Sequence, residues 1–208
     1  EANIQSVDTN PRNIEVNIQD VTGKKFPISV STSGTPRDGY VVGEMTTNPK
    51  EVTLRGSETL IDSIEKVVAK IDISGMSDSG VVDAELICYD SNGNVVDQTK
   101  LSNNLGDKGI SVNVQMLNTK NVGLNFAVSG EPKAGYIYTG MTVEPESVQI
   151  CGTEDVLAEI DSINIPADQI DITNEHGKKE YTIDITPFLP KEVSLVDETA
   201  NNVVVTIL

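Results

Sequence analysis

Residues 33–58 read S-G-T-P-R-D-G-Y-V-V-G-E-M-T-T-N-P-K-E-V-T-L-R-G-S-E, and residues 129–154 read S-G-E-P-K-A-G-Y-I-Y-T-G-M-T-V-E-P-E-S-V-Q-I-C-G-T-E. The second stretch repeats the first at an offset of 96. Gly34, Pro36, Gly39, Tyr40, Met45, Thr46, Pro49, Val52, Gly56 and Glu58 recur as Gly130, Pro132, Gly135, Tyr136, Met141, Thr142, Pro145, Val148, Gly152 and Glu154. Carried outward without a gap, residues 14–69 match 110–165 at 17 of 56 positions. Chance at ordinary composition supplies on the order of three or four. Beyond that window the offset becomes 99, and Ile71-Asp72-Ile73-Ser74 returns as Ile170-Asp171-Ile172-Thr173. The second copy has therefore gained about three residues near Pro166-Ala167-Asp168. A fixed period of this length marks tandem copies of one structural unit.

The boundaries follow from a third echo. Asn13–Gln19 (N-I-E-V-N-I-Q) aligns with Gly109–Gln115 (G-I-S-V-N-V-Q) and more loosely with Asn202–Leu208 (N-V-V-V-T-I-L). Each segment reads as the closing strand of a unit. Residues 1–20 are then the closing strand of a preceding truncated repeat, 21–117 repeat A and 118–208 repeat B. Val16, Ile18, Ile28, Val30, Val52, Leu54, Ala84 and Leu86 sit in period-2 runs, which predict strands. Thr22-Gly23, Asp38-Gly39, Asn92-Gly93-Asn94 and His176-Gly177 predict turns. Asn48-Pro49 and Glu144-Pro145 place an extended residue before each proline, just ahead of a strand. Ser57 and Thr153 read as hydroxyl N-caps of one short helix per copy, with Glu58 and Glu154 in the first turn favoured by the helix dipole. Leu60, Ile61 and Ile64, matched by Val156, Leu157 and Ile160, give that helix one apolar face. Between the copies lies only M-L-N-T-K-N (Met116–Asn121), neither Pro-rich nor Gly/Ser-rich. The reading is a mainly β chain of two modules, each with one short helix, restrained end to end.

Composition narrows function. The 208 residues carry 15 basic and 32 acidic side chains, a formal charge of −17, which repels phosphate backbones and anionic lipid. Nucleic-acid binding and membrane-surface binding are not expected. A single histidine excludes a site built from several imidazoles, and the lack of Trp weakens a carbohydrate-stacking module. No apolar run is long enough to span a bilayer and no signal peptide is visible. Opening on Glu1, the chain reads as an excerpt of a longer protein. Two cysteines, Cys88 and Cys151, are too few for a disulfide framework.

Candidate chemistry weighs lightly against structure. His176, in E-H-G-K-K, replaces Ser77 of the first copy and reads as an exposed turn histidine. Cys88 and Cys151 align with Pro187 and Arg55, have no activating base and no C-x-x-C partner, and read as structural thiols. Asp90-Ser91-Asn92-Gly93-Asn94 faintly resembles a calcium loop, but the sixth and twelfth positions are Val95 and Leu101, so a hairpin turn is the better reading. The glycines form no phosphate-binding pattern, and Gly75–Gly80 is one residue too long for a nucleophile elbow. Asp72 and Asp171 recur, and are read as strand-end carboxylates bonding backbone donors. Tyr40 and Tyr136 also recur; packing is the default, a shared partner groove the alternative. No catalytic, cofactor-binding or metal-binding residue is assigned, and no cofactor is expected.

The pattern G-x-P-x-x-G-Y, about nine residues, P-x-x-V-x-[LI]-x-G-[ST]-E, a short helix, then I-D-I-[ST] resembles the YbbR-like repeat. That repeat is found in several copies behind an N-terminal membrane helix, mostly in Gram-positive bacteria, and includes the CdaR-type regulators of a membrane-bound diadenylate cyclase. The resemblance covers both copies. It implies a mainly β module and an extracytoplasmic, membrane-anchored, non-enzymatic regulatory or scaffolding role. It also implies partnership with a diadenylate cyclase, hence cyclic di-AMP signalling, and leaves a homo-oligomer open. It carries over no ligand or catalytic residue. A generic cell-surface adhesion or cell-wall-binding module is the alternative, and a hydrolase using an unrecognised carboxylate pair ranks last.

Overall fold

The computed structural model describes residues 20–208; the closing strand expected before Asp20, including Val16 and Ile18, lies outside the described residues. The first module runs β1 (Val21–Ser33), β2 (Tyr40–Asn48), β3 (Glu51–Ser57), α1 (Glu58–Ser63), β4 (Ile64–Asp72), β5 (Gly80–Asp90) and β6 (Ser102–Asn103). One long strand, β7 (Ile110–Phe126), closes it and opens the second. The second continues with β8 (Met141–Glu144), β9 (Ser147–Gly152), α2 (Glu154–Ala158), β10 (Ser162–Ile165), β11 (Lys179–Asp184), β12 (Ser194–Leu195) and β13 (Asn202–Ile207). The chain is mainly β, with two short helices among the described residues.

Each module holds the same two strand sets in the same register. In the first, β1 lies between antiparallel β3 and parallel β4, with Phe26 opposite Val52 and Ile28 opposite Val67. In the second, the C-terminal half of β7 lies between β9 and β10, with Val122 opposite Val148 and Leu124 opposite Ile163. All four second-module positions are displaced by 96. The other set places the N-terminal half of β7 between β2 and β5, and β13 between β8 and β11, all antiparallel. There Met45 opposite Val114 becomes Met141 opposite Ile207, and Ala84 opposite Ile110 becomes Ile183 opposite Val203. A one-residue slip would turn every buried side chain outward, so the shared register follows from the shared apolar pattern.

The modules differ where the sequence diverges. In the first, β5 leaves β7 after Ala84 and pairs with β4 from Glu85 onward, joining the two strand sets. In the second, Pro166 stands at the position of Lys70, removes a ladder donor and ends β10 after four residues. A 3₁₀ turn at Ala167–Gln169 follows, which accounts for the three extra residues. The second module has one core, centred on Val122, Ile150, Ile163, Ile170, Ile185 and Val203. The first has two, one around Val52, Leu54 and Ile61 and one around Ile71, Val112 and Val114.

Local details correct two readings. Thr22-Gly23 is no turn: Gly23 sits inside β1 opposite Arg55. The helices have six and five residues, so each depends on burying Ile61 or Leu157 against its sheet. Ser57 and Thr153 occupy the N-cap positions with extended backbone but make no side-chain capping bond. Helix α2 is instead held at its far end, where Lys120 Nζ donates to the carbonyls of Leu157 and Ile160 at 3.0 and 2.6 Å. A cation there also suits the negative end of the helix dipole.

Candidate functional site

The recurrent motif residues converge on one loop crossing per module. Ser33 Oγ donates to Ile71 O at 3.2 Å, as Ser129 Oγ does to Ile170 O. Asp72 Oδ1 accepts from the Ser74 backbone N–H and hydroxyl at 2.9 and 2.6 Å; Asp171 Oδ1 accepts from Thr173 at 2.9 and 2.5 Å. These hydroxyl bonds, then the backbone N–H bonds, hold both carboxyls below the usual range. Arg37 N–H donates to Met76 O, and Lys133 N–H to Glu175 O, both at 3.0 Å. The glycine of each copy lies against this turn with positive φ, +79° at Gly34 and +83° at Gly130. A Cβ on Gly34 would stand 1.9 Å from Ser74 Oγ, and on Gly130 2.2 Å from Thr173 Oγ1. Both carboxylates are satisfied within their own turns. Their chemistry is that of a loop lock.

The remaining sequence candidates stay apart. Cys88 on β5 and Cys151 on β9 are buried free thiols, and burial pushes both pKa values up, so neither is poised as a thiolate. Asp90 accepts from the Asn92 and Asn94 backbone N–H groups, both at 2.9 Å, closing a hairpin around Gly93. Gly75–Gly80 forms the loop entering β5. Among the described residues no group of three or more His, Cys, Asp and Glu side chains is placed to hold a metal ion. No helix among them is long and apolar enough to cross a membrane.

His176 is exposed and meets Tyr136 edge to face, ring centres 5.9 Å apart. That pair sits beside a shallow groove of about 320 Å³ whose apolar wall is formed by Tyr136, Ile137, Tyr138, Ile172, Ile207 and Leu208. Ile137 is 83% exposed and Tyr136 50%, unusual for such side chains in a chain of this charge. Tyr136 is singled out by the repeat. Ile137 and Leu208 are not. Glu175 and Lys178 complete the rim of the groove, so it offers an apolar floor with a charged edge, a lining that suits binding.

A family model described as YbbR-like protein matches residues 26–114 and 122–207. The CdaA regulatory protein CdaR of Bacillus subtilis strain 168 is 25% identical over 162 residues, which are 76% of this chain and 32% of that protein. The chain thus spans about a third of the length of this curated relative. A crystal structure of a YbbR-like protein from Streptococcus pneumoniae TIGR4 aligns at 12% identity and TM-score 0.39, covering 94% of this chain and 97% of that one. A solution structure of SuR18C from Streptococcus thermophilus aligns at 20% identity and TM-score 0.33, covering 44% of this chain and 82% of that one.

Proposed function

The chain belongs to the YbbR-like family, and from that premise we propose that it is a non-catalytic regulatory or scaffolding region of a membrane-anchored protein. In this reading it stands on the extracytoplasmic face and modulates a membrane-bound diadenylate cyclase through protein–protein contacts. The observation that carries it is the 25% identity to CdaR over 162 residues, a length greater than either module. The β7 join supports the same reading. A regulator acting by position needs modules that keep their relative orientation, and a strand shared by both leaves no flexible link. The recurrent carboxylates support a role without chemistry, since their lone pairs go to their own turns.

The test is cellular. The full-length protein is co-expressed with its cognate cyclase, with and without the segment corresponding to residues 21–208, and cyclic di-AMP is measured. A changed nucleotide level with cyclase abundance constant is expected. An unchanged level would remove the regulatory reading and leave adhesion or wall binding as its successor.

A further inference from the structure

The two modules are controls for each other at a strand edge inside the chain. In the first, β4 is covered on both sides. Strand β1 pairs with one edge and the second half of β5 with the other, Lys66 opposite Tyr89 and Val68 opposite Ile87. The equivalent strand of the second module is β10, where Ser162 and Asn164 stand in the places of Lys66 and Val68. Among the described residues β10 pairs with β7 alone. The Ala127 N–H donates to Ile165 O at 3.4 Å, so Ile165 and Ile163 aim their backbone groups at β7. Backbone groups alternate sides along a strand, so those of Ser162 and Asn164 aim at the uncovered side. Their side chains are taken up elsewhere: Asn125 Nδ2 donates to Ser162 Oγ and to Asn164 Oδ1, at 2.9 and 3.1 Å. Val68 is 2% exposed, whereas Asn164 is an exposed residue. The cover is missing for a local reason. Residues Ile185–Phe188 correspond to Leu86–Tyr89 at the offset of 99. There Asp184 Oδ1 accepts from Thr186 N–H at 2.9 Å, Ile185 turns helical at φ −85° and ψ −10°, and Thr186–Phe188 forms a 3₁₀ turn in place of a strand.

We propose that Ser162–Ile165 is an acceptor edge for an extended basic segment of a partner protein, which pairs antiparallel to β10 as the second half of β5 pairs with β4. An unpaired edge is a template for an added strand: main-chain bonds give affinity, and alternate side chains give specificity. Ser162 and Asn164 border a groove of about 630 Å³. Val156, Ile160 and Pro190 supply its apolar lining; Glu159, Asp161 and Glu192 supply three carboxylates against the single cation of Lys191. Lys120 Nζ lies 3.8 Å from Asp161 but already donates to the carbonyls of Leu157 and Ile160. Charge decides the occupant. A second copy would bring the same carboxylates and a formal charge of −17 against them. A segment alternating lysine with valine offers cations to the carboxylates and methyl groups to the apolar lining. The inference rests on the comparison of the two copies and not on the regulatory reading.

The test titrates the full chain with acetyl-Lys-Val-Lys-Val-Lys-Val-amide, uses acetyl-Glu-Val-Glu-Val-Glu-Val-amide as the comparison, and follows backbone amide shifts and hydrogen exchange. The lysine peptide should shift the amides of Ser162–Ile165, Lys191 and Glu192 saturably. At about ten times its dissociation constant it should slow exchange at Ser162 and Asn164 roughly tenfold. Asn164→Pro removes an outward donor and leaves the ladder to β7, so it should weaken binding about fivefold or more, the worth of one hydrogen bond. Asn164→Ala keeps the donor and should bind like the parent. Equal binding of the two peptides, or equal binding by Asn164→Pro and Asn164→Ala, overturns the proposal. Unchanged exchange at Ser162 and Asn164 in the parent chain also overturns it, whether or not Asn164→Pro folds. So does protection of both amides in the free chain together with a dimer in sedimentation, which would give the edge to a second copy.

Discussion

Gly34→Ala isolates the loop lock of the first module. The native φ of +79° lies in the left-handed region, where an L-residue costs about 1–2 kcal/mol. The added methyl would sit 1.9 Å from Ser74 Oγ and 2.7 Å from Asp72 Oδ1, so side chains must move, an overpacking cost of roughly 1–3 kcal/mol. Together these give about 2–5 kcal/mol, and at about 2–4 °C per kcal/mol for a chain this size the melting midpoint should fall by roughly 4–20 °C. The structure also fixes the remedy. Ser74→Ala removes the atom at 1.9 Å and leaves Asp72 Oδ1 at 2.7 Å, which can swing away once the serine hydroxyl is gone, and Ser74 Cβ at 3.0 Å. The double variant should therefore be less destabilised than the sum of the singles by about 1–2 kcal/mol, read from a double-mutant cycle in denaturant. Gly130→Ala paired with Thr173→Ala should recover less, because Asp171 Oδ1 at 2.5 Å and the Thr173 backbone nitrogen at 2.8 Å remain in the way. Strict additivity in the first module, or a Gly34→Ala cost below about 0.5 kcal/mol, the range of neutral surface changes, would refute the argument.

Ile150→Ala and Ile163→Ala, at sites that are 0% and 1% exposed, should each cost about 2–5 kcal/mol in equilibrium denaturation. Val81→Ala, at a 71% exposed site, should stay within about 0.5 kcal/mol. Asp72, Asp171, Asp184 and Asp197 are each held below the usual carboxylate range, first by the hydroxyl two residues on and then by that residue's backbone N–H. Depressed folded values add stability that is present above the unfolded value near 4 and lost as pH falls through the folded ones. The melting midpoint should drop steeply below about pH 4, and Asp72→Asn with Asp171→Asn should flatten that drop; an unchanged slope counts against the locks. Both cysteines are buried with raised pKa values. A disulfide exchange reagent at neutral pH should therefore label them only when denaturant is added, and rapid labelling of the native protein contradicts their placement.

The fold was largely legible because duplication doubles every signal. An alternating run could be a chance pattern once, but Phe26–Val30 and Val122–Phe126 carry it twice and pair in identical register. What stayed hidden depends on partners distant in sequence. Gly23 looks like a turn glycine until Arg55 on β3 lies opposite it. Ser57 and Thr153 have the composition of N-caps, yet their hydroxyls form no capping bond, and at α2 it is Lys120, far back along the chain, that meets the helix end. The recurrent tyrosines mark the groove. The repeat pairs them in sequence but not in setting: Tyr40 lies opposite Asn118 in a ladder, whereas Tyr136 lines the groove.

Strand β7 has different neighbours on either side of its midpoint, β2 and β5 before it and β9 and β10 after it, and Asn118 serves both halves, opposite Tyr40 and opposite Gly152. Strands carry an intrinsic right-handed twist, so the rotation relating one module to the next is written into the main chain and does not depend on a side-chain hinge. Lengthening, shortening or untwisting this one strand would therefore turn one copy against the other, because backbone and not a side-chain contact sets their common bearing.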